Sequence, residues 1–274
     1  NSPAWEELWR PAALRALAIS PNFTTDGTLF AAGNDNQVYR SVDRGATWTL
    51  SNAGIDVGFF PFAFAISPAF AVDHTLFLAG FGPLYRSTDS GLHWSALVGS
   101  HGPHYGVAVS PNFAVDRTVL VSYREIEASA IVPESGIFRS TDGGDTWTYA
   151  GYGLPGTYEP FPGPLAFSPN FASDRTVYAA DMGTNFLGAR RVYRSVDGGQ
   201  SWAALPDPPV DAPAHDLLAT AGLDTLYLAN DAGVWRTNDR CQEYIANGGA
   251  EQNFGWSFGG ARPSTYTSDR AHSG

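Results

Sequence analysis

The segment Ser140-Thr-Asp-Gly-Gly-Asp-Thr-Trp147 decides the fold of this chain, because close copies of it recur along the 274 residues. The shared pattern is S/T-x-D-x-G-x-x-W, and each copy follows an aromatic residue and an arginine. A worn fifth copy occupies residues 237–244. The copies lie about 40–55 residues apart, a period typical of repeat architectures such as propellers. The repeated aspartates are Asp43, Asp89, Asp142, Asp197 and Asp239.

The residue types of the pattern predict a tight turn between two strands. The aspartate is expected to accept backbone N–H bonds about two residues on. The glycine supplies a positive φ, the Ser or Thr adds a second local bond, and the tryptophan fills space between sheets. Because all copies share these residues, a structural role is favoured over catalysis or metal binding. The expected structural residues are Ser41, Asp43, Gly45, Trp48, Ser87, Asp89, Gly91, Trp94, Ser140, Asp142, Gly144, Trp147, Ser195, Asp197, Gly199 and Trp202.

The pattern resembles the Asp-box (BNR) repeat of sialidases, sortilin-type receptors and many secreted bacterial β-propellers. The resemblance covers most of residues 15–244. It implies a β-propeller fold and says almost nothing about function.

A second repeat, Ser-Pro-Asn/Ala-Phe followed by Asp-x-Thr, keeps the same register in four of the five units. Each unit then divides into four short strands, here termed A to D, with small apolar residues in A and a tryptophan at the start of D. Apolar A and B strands are typical of sheets covered on both faces. The sequence therefore predicts an all-β protein, a single propeller of five four-stranded blades.

Ring closure is predicted to use the N-terminus. The segment Trp5-Glu-Glu-Leu8 matches the start of strand D but has no strand C before it. We therefore expect an N-terminal strand near residues 5–9 to complete the last blade, although Tyr244 could begin a local strand instead. The propeller would span residues 1–240. Residues 241–274 would form a Gly/Ser/aromatic tail that packs on its own propeller or contacts a partner through Phe254, Trp256, Phe258 and Tyr266.

Composition narrows the classes of partner. The net charge of −11 and pI near 4.8 argue against nucleic acid or an anionic membrane. The single cysteine, Cys241, excludes an internal disulfide and a cysteine-based zinc site. No apolar run suits a membrane helix, and neither a cofactor nor a metal is expected. The numbering begins at Asn1 and not at a methionine, which suggests either a processed, secreted protein or a trimmed chain. In the first case we expect the protein outside the cell or at the cell surface. Asn22 lies in a glycosylation sequon.

Function is expected on the face that carries the B–C and D–A loops, which differ between repeats, since loops on a rigid scaffold usually carry binding residues. Aromatics beside carboxylates and arginines suit a glycan or a peptide. His101 and His104 could begin a metal site but have no identified third ligand. The candidate ligand-binding residues are His104, Tyr105, Glu125, Glu127, Tyr158, Asp181 and Arg190.

Sialidase chemistry is not favoured by the arginines. The resemblance implies three substrate-binding arginines on the variable face, whereas the repeated arginines Arg40, Arg86, Arg139, Arg194 and Arg236 end strand C toward the other face. The leading hypothesis is therefore a secreted non-catalytic module, not an enzyme, that binds a protein partner or copies of itself through its terminal segments. A glycan- or peptide-binding propeller is the alternative. A sialidase-like glycoside hydrolase is the second alternative, and its candidate carboxylates include Glu134 and Glu159.

Overall fold

The fold is taken from a computed structural model that describes residues 13–98, 102–124, 135–154, 162–182, 191–206, 212–220, 225–238 and 257–258. Within these ranges, no helix has both the length and the apolar character needed to cross a bilayer.

Five antiparallel four-stranded sheets form a ring, so the protein is a five-bladed β-propeller, as the repeats predicted. In each sheet the strands lie in the order in which the chain reaches them. The strands are β1 Leu14–Ile19, β2 Leu29–Gly33, β3 Val38–Ser41 and β4 Thr49–Leu50; β5 Phe60–Ile66, β6 Leu76–Phe81, β7 Tyr85–Ser87 and β8 Ser95–Ala96; β9 His104–Val109, β10 Val119–Arg124, β11 Ser135–Ser140 and β12 Thr148–Tyr149; β13 Pro162–Phe167, β14 Val177–Asp181, β15 Val192–Ser195 and β16 Ala203–Ala204; β17 Ala214–Thr220, β18 Thr225–Asn230, β19 Gly233–Asn238 and β20 Ser257–Phe258.

The Ser-Pro-Asn/Ala-Phe repeats form single helical turns between the first two strands of blades one to four. In blade one, Ser20 Oγ donates to Asp26 Oδ2 at 2.5 Å, and the Thr28 N–H donates to Asp26 Oδ1 at 2.8 Å. The same bonds recur in the other three blades. The helical turn is stabilised because the aspartate ties both of its ends together. The turns are α1 Phe23–Asp26, α2 Phe70–Asp73, α3 Phe113–Asp116 and α4 Phe171–Asp174.

The Asp-box turns are closed by their own side chains. In blade three, Asp142 Oδ1 accepts from the Ser140 hydroxyl at 2.7 Å and from the Thr146 N–H at 2.9 Å, while Oδ2 accepts from Thr146 Oγ1. The Gly144 N–H donates to Ser140 Oγ at 2.8 Å, with a φ of 100° at Gly144. The Asp145 N–H also donates to Asp142 Oδ1, at 3.0 Å, so the backbone donors lie three and four residues after the aspartate and not two as expected. Two consecutive positive-φ residues, Gly143 and Gly144, bend the chain back so far that only the later N–H groups face the carboxylate.

The two kinds of turn lie together on one face of the ring, here called the scaffold face. In blade one the Arg44 N–H of the Asp-box donates to the Gly27 carbonyl at the end of α1, at 3.0 Å. Corresponding bonds join the two turns in blades two, three and four. The B–C and D–A connections therefore lie on the opposite face, here called the variable face.

The hydrophobic core consists of clusters between consecutive blades. Phe30 and Val38 of blade one meet Leu76 and Tyr85 of blade two, and three further clusters join blades two to five. The first strands β1, β5, β9, β13 and β17 contact one another in series, which places them nearest the centre. At the seam between blades five and one, Leu17 and Leu218 are 60% and 59% exposed. Within the part of the chain that the structure describes, the buried core therefore lies at the other four seams.

The fifth blade differs from the prediction in its outer strand. The edge of β19 pairs with β20, Trp235 opposite Phe258 and Arg236 opposite Ser257. The N-terminal strand expected on this edge, residues 5–9, lies outside the described residues. In the worn turn, Cys241 stands where the other copies have glycine, so the sequence does not favour the tight hairpin found in blades one to four.

Candidate functional site on the variable face

The inner strand of every blade carries a β-bulge near the variable face. In blade one, Leu14 pairs with Gly33 and Ala16 with Ala32, which leaves Arg15 as the extra residue. The other blades shift register at the matching height. A bulge bends the strand and re-aims its extra side chain, and bulges are common beside active sites. The extra residues are Arg15, Phe62, Tyr105 and His215 in blades one, two, three and five, and in blade four Gly163 and Pro164 lie opposite a single residue.

Three of these blades contribute to a continuous run of side chains, here called the aromatic arc and defined as Arg15, Phe60, Phe62 and Tyr105. The rings of Phe62 and Tyr105 are stacked, with centroids 5.2 Å apart and planes 11° apart. Phe60 meets Phe62 edge to face at 5.6 Å, and the Arg15 guanidinium lies 3.9 Å from the centre of the Phe60 ring. The three rings are partly exposed and Arg15 is exposed. The arc therefore presents apolar ring surface and a cation at the inner rim.

Blade five carries a histidine–carboxylate pair at its bulge. His215 Nε2 is within hydrogen-bond distance of Asp231 Oδ1, and both side chains are more than half exposed. Asp231 follows Asn230 at the end of β18, and Asn230 Oδ1 accepts from the Trp235 indole N–H at 3.0 Å. The turn is thus tied to its own blade, and it holds an accessible carboxylate on the variable face.

Blade one holds a carboxylate at the corresponding turn. Asp35 Oδ1 accepts from the Gln37 N–H at 3.2 Å, and Asp35 Oδ2 accepts from the Tyr39 hydroxyl at 2.6 Å. The hydrogen bond to Asp35, together with burial, raises the pKa of Tyr39 to about 12. The tyrosine therefore stays a donor at neutral pH and fixes the orientation of the carboxylate.

Sequence reasoning missed Asp35 and Asp231, although a signal was present. The pair Asn-Asp lies at the end of the second strand in the first and the fifth repeats, as Asn34-Asp35 and Asn230-Asp231. Comparison of the repeats at this position would have found both aspartates.

Among the predicted ligand residues, the structure brings Tyr105 into the aromatic arc and buries His104 and Asp181. His104 is 1% exposed and donates from Nδ1 to the Gly82 carbonyl at 3.1 Å. Burial lowers the pKa of His104 to about 4, against the opposing effect of its bonds to the Gly82 and Gly102 carbonyls. His104 is therefore a neutral packing residue. The remaining predicted ligand residues, Glu125, Glu127, Tyr158 and Arg190, lie outside the described residues, as do His101, Glu134 and Glu159.

Asp181 ends β14 at the height of the bulges. It lies opposite Pro162, its N–H donates to the Arg191 carbonyl at 3.0 Å, and it is 7% exposed. In the described part of the chain, no three His, Cys, Asp or Glu side chains cluster closely enough to hold a metal ion.

Two of the repeated arginines make contacts between blades. Arg86 Nη1 donates to the Gly143 carbonyl at 2.8 Å and to Asp145 at 2.7 Å, both in the Asp-box of the next blade. Arg139 Nε donates likewise to the Gly198 carbonyl at 3.0 Å. These arginines therefore lie at the scaffold face, away from the aromatic arc.

The chain is similar in sequence to two bacterial xyloglucanases. It is 29% identical to the xyloglucanase Xgh74A of Acetivibrio thermocellus over 202 residues, which cover 60% of this chain and 22% of the relative. It is 28% identical to a xyloglucanase of a Paenibacillus species over 175 residues, which cover 56% of this chain and 16% of the relative. The chain thus spans less than a quarter of the length of either relative. No family model matches it, so membership of the Asp-box repeat family stays a prediction.

The fold is similar to that of solved GH74 structures. The superposition on the GH74 enzyme of Niastella koreensis has a TM-score of 0.66 at 20% sequence identity, and covers 90% of this chain and 37% of that one. At this identity the likeness supports the propeller fold alone.

The relatives contradict the leading functional hypothesis. We expected a non-catalytic, self-associating module and not an enzyme, but both sequence relatives are named xyloglucanases and point to a glycoside hydrolase. The repeated aspartates and arginines lie on the scaffold face and have structural roles. The error was to conclude from them that the whole protein is not catalytic. Of the residues expected to contact a partner, Phe254, Trp256 and Tyr266 lie outside the described residues, and Phe258 is described only as backbone in β20.

Proposed function

We propose that this propeller belongs to a glycoside hydrolase that acts on a xyloglucan-type polysaccharide bound across the variable face. The observation that carries the proposal is the sequence likeness to two xyloglucanases over more than half of the chain. The geometry of the variable face supports it, because partly exposed rings and accessible carboxylates lie on the same face.

The aromatic arc suits a neutral polysaccharide. The faces of a pyranose ring carry C–H groups that pack against aromatic rings, while its hydroxyls exchange hydrogen bonds with polar groups at the edge. Phe62 and Tyr105 supply ring surface, and the exposed guanidinium of Arg15 supplies donors.

The carboxylates suit the reaction. Glycoside hydrolysis commonly uses two carboxyl groups, one that protonates the leaving oxygen and one that acts as base or nucleophile. Asp35 accepts two hydrogen bonds, which fix the orientation of its carboxylate and suit the second role. Asp231, beside His215, and the buried Asp181 are the described candidates for the acid.

An extracellular location follows from the proposed substrate. A polysaccharide does not cross a membrane, so an enzyme that cleaves it acts outside the cell. The acidic composition suits such a neutral partner better than an anionic one.

Reducing-end release from xyloglucan, unbranched β-1,4-glucan and xylan tests the proposal. We expect release from xyloglucan, and a loss of at least 100-fold in kcat for Asp35→Asn. Asp145→Asn, on the scaffold face, is the matched control and should keep wild-type activity. If the protein releases no reducing ends from any of the three polymers, the proposed function is refuted. Full activity in Asp35→Asn, Asp181→Asn and Asp231→Asn would refute the assigned carboxylates.

A further inference from the structure

We infer that the Phe62–Tyr105 pair is the stacking platform for one sugar ring of a neutral glucan chain, held at the inner rim of the variable face. The class of ligand rests on the proposed function. The platform itself rests on the geometry of the described residues.

The first argument is position. Phe62 and Tyr105 are the extra residues of two β-bulges in neighbouring blades, and their rings lie nearly parallel, 5.2 Å apart. A regular strand would leave each residue paired in its ladder, so both side chains owe their direction to the bulge. Two rings that stack in parallel cover one face of each other, so the outer ring face of the stack is the surface left for a sugar.

The second argument is exposure. The core rings Phe30 and Phe77 are fully buried between blades, whereas Phe62 and Tyr105 keep part of their surface in solvent. Adjacent apolar rings at a surface are a liability unless something covers them, and such patches commonly mark binding sites. The stack therefore fits ligand contact better than core packing.

The third argument is the support beneath the platform. Phe60 meets Phe62 edge to face, and the Arg15 guanidinium lies over Phe60. Such contacts between aromatic rings and between a cation and a ring each stabilise one geometry, so the platform is held in place before a ligand arrives. Arg15 also places N–H donors beside it for the hydroxyl groups of a sugar.

The platform ends at blade four. The bulge there contains Gly163, which has no side chain to extend the stack, and its carbonyl accepts from Ser122 Oγ at 2.9 Å. A Cβ at Gly163 would lie 1.9 Å from Met182 Cγ, so a larger residue does not fit. The ring surface therefore has the size of one sugar and not of a long chain.

Isothermal titration of the full chain with xyloglucan oligosaccharides and with cellotetraose tests the platform. We expect Phe62→Ala and Tyr105→Ala each to weaken binding at least tenfold. Tyr105→Phe, which keeps the ring, should stay within twofold of the wild type. The matched control is Tyr152→Ala, since Tyr152 is 64% exposed and contacts Tyr149 rather than the arc. If an alanine variant fails to fold, Phe62→Leu and Tyr105→Leu keep apolar volume without a ring face and should show the same loss.

Two outcomes would overturn the platform: folded Phe62→Ala and Tyr105→Ala variants that bind within twofold of the wild type, or a wild type that binds neither oligosaccharide. Its failure is separable from that of the proposed function. A wild type that hydrolyses xyloglucan while the alanine variants bind normally refutes only the platform. A wild type that binds through the platform without any hydrolysis refutes only the proposed activity.

Discussion

The indole N–H of Trp94 donates to the carbonyl oxygen of Ser51 at 2.8 Å, and the two residues belong to neighbouring blades. Trp202 makes the same bond to Ala150 of the preceding blade at 2.7 Å. Trp48 instead donates to Gly45 within its own turn, at 3.0 Å. The Asp-box tryptophan can therefore act as a link between blades as well as a turn residue.

Trp94→Phe should lower the free energy of unfolding by about 1–3 kcal/mol, since it shrinks a buried side chain and leaves the Ser51 carbonyl without this donor. Trp48→Phe is the matched control and should cost less, because Trp48 is partly exposed and its indole N–H donates to Gly45 within its own turn. Denaturant unfolding of both variants measures the difference. Equal losses would contradict the link between blades.

Gly54→Ala should destabilise the protein by about 3 kcal/mol, because an added Cβ combines left-handed strain with overpacking. Gly54 has a φ of 90°, and a Cβ there would lie 2.0 Å from the Trp94 carbonyl oxygen. Gly58 has nearly the same φ, 88°, but an added Cβ would meet nothing within 4 Å.

Gly58→Ala therefore isolates the backbone strain, and should cost only about 1 kcal/mol. Thermal unfolding of both variants compares the two terms. If both substitutions lower the free energy of unfolding by the same amount, blades one and two do not approach each other closely at Trp94.

Stability should fall between pH 6.5 and pH 4 because of His104. Burial lowers its pKa from 6.5 to about 4, so in this window the unfolded chain binds a proton that the folded protein does not. The stability contribution is complete above pH 6.5 and is lost as the pH falls toward 4. The shift corresponds to about 3 kcal/mol.

His104→Asn is the test variant, since its amide can replace the donor to Gly82 but does not titrate. It should be less stable than the wild type at pH 7 and show a flatter stability profile from pH 7 to 4.5. A profile parallel to that of the wild type would show that His104 is not the group responsible.

The five blades could be predicted from the sequence because the same turn motifs and strand patterns recur in each repeat. The Asp-box and the second repeat fixed the period, and Gly45, Gly91, Gly144 and Gly199 all take the positive φ that the pattern requires. The outer strand of blade five was harder to predict. The sequence offered Trp5 and Tyr244 as starting points, whereas β20 follows Trp256. Which segment pairs with β19 depends on contacts distant in sequence.

The candidate site was only partly predictable. Tyr105 was expected from its position in a variable loop, but its stacking on Phe62 depends on two bulges. A bulge is a one-residue shift between paired strands, so it depends on the partner strand. The sequence of the bulged strand alone therefore gives little indication of it. His104 shows the converse: a polar residue in a variable loop that the fold buries.

Backbone amide NMR of the full chain, titrated with xyloglucan oligosaccharides, tests the central claim most directly. We expect shifts at the bulge positions Phe62, Tyr105 and His215 and at Asp35, with the amides of Gly45 and Gly144 unmoved in the Asp-box turns. Shifts confined to the Asp-box turns, or no shifts at saturating oligosaccharide, would contradict a glycan site on the variable face.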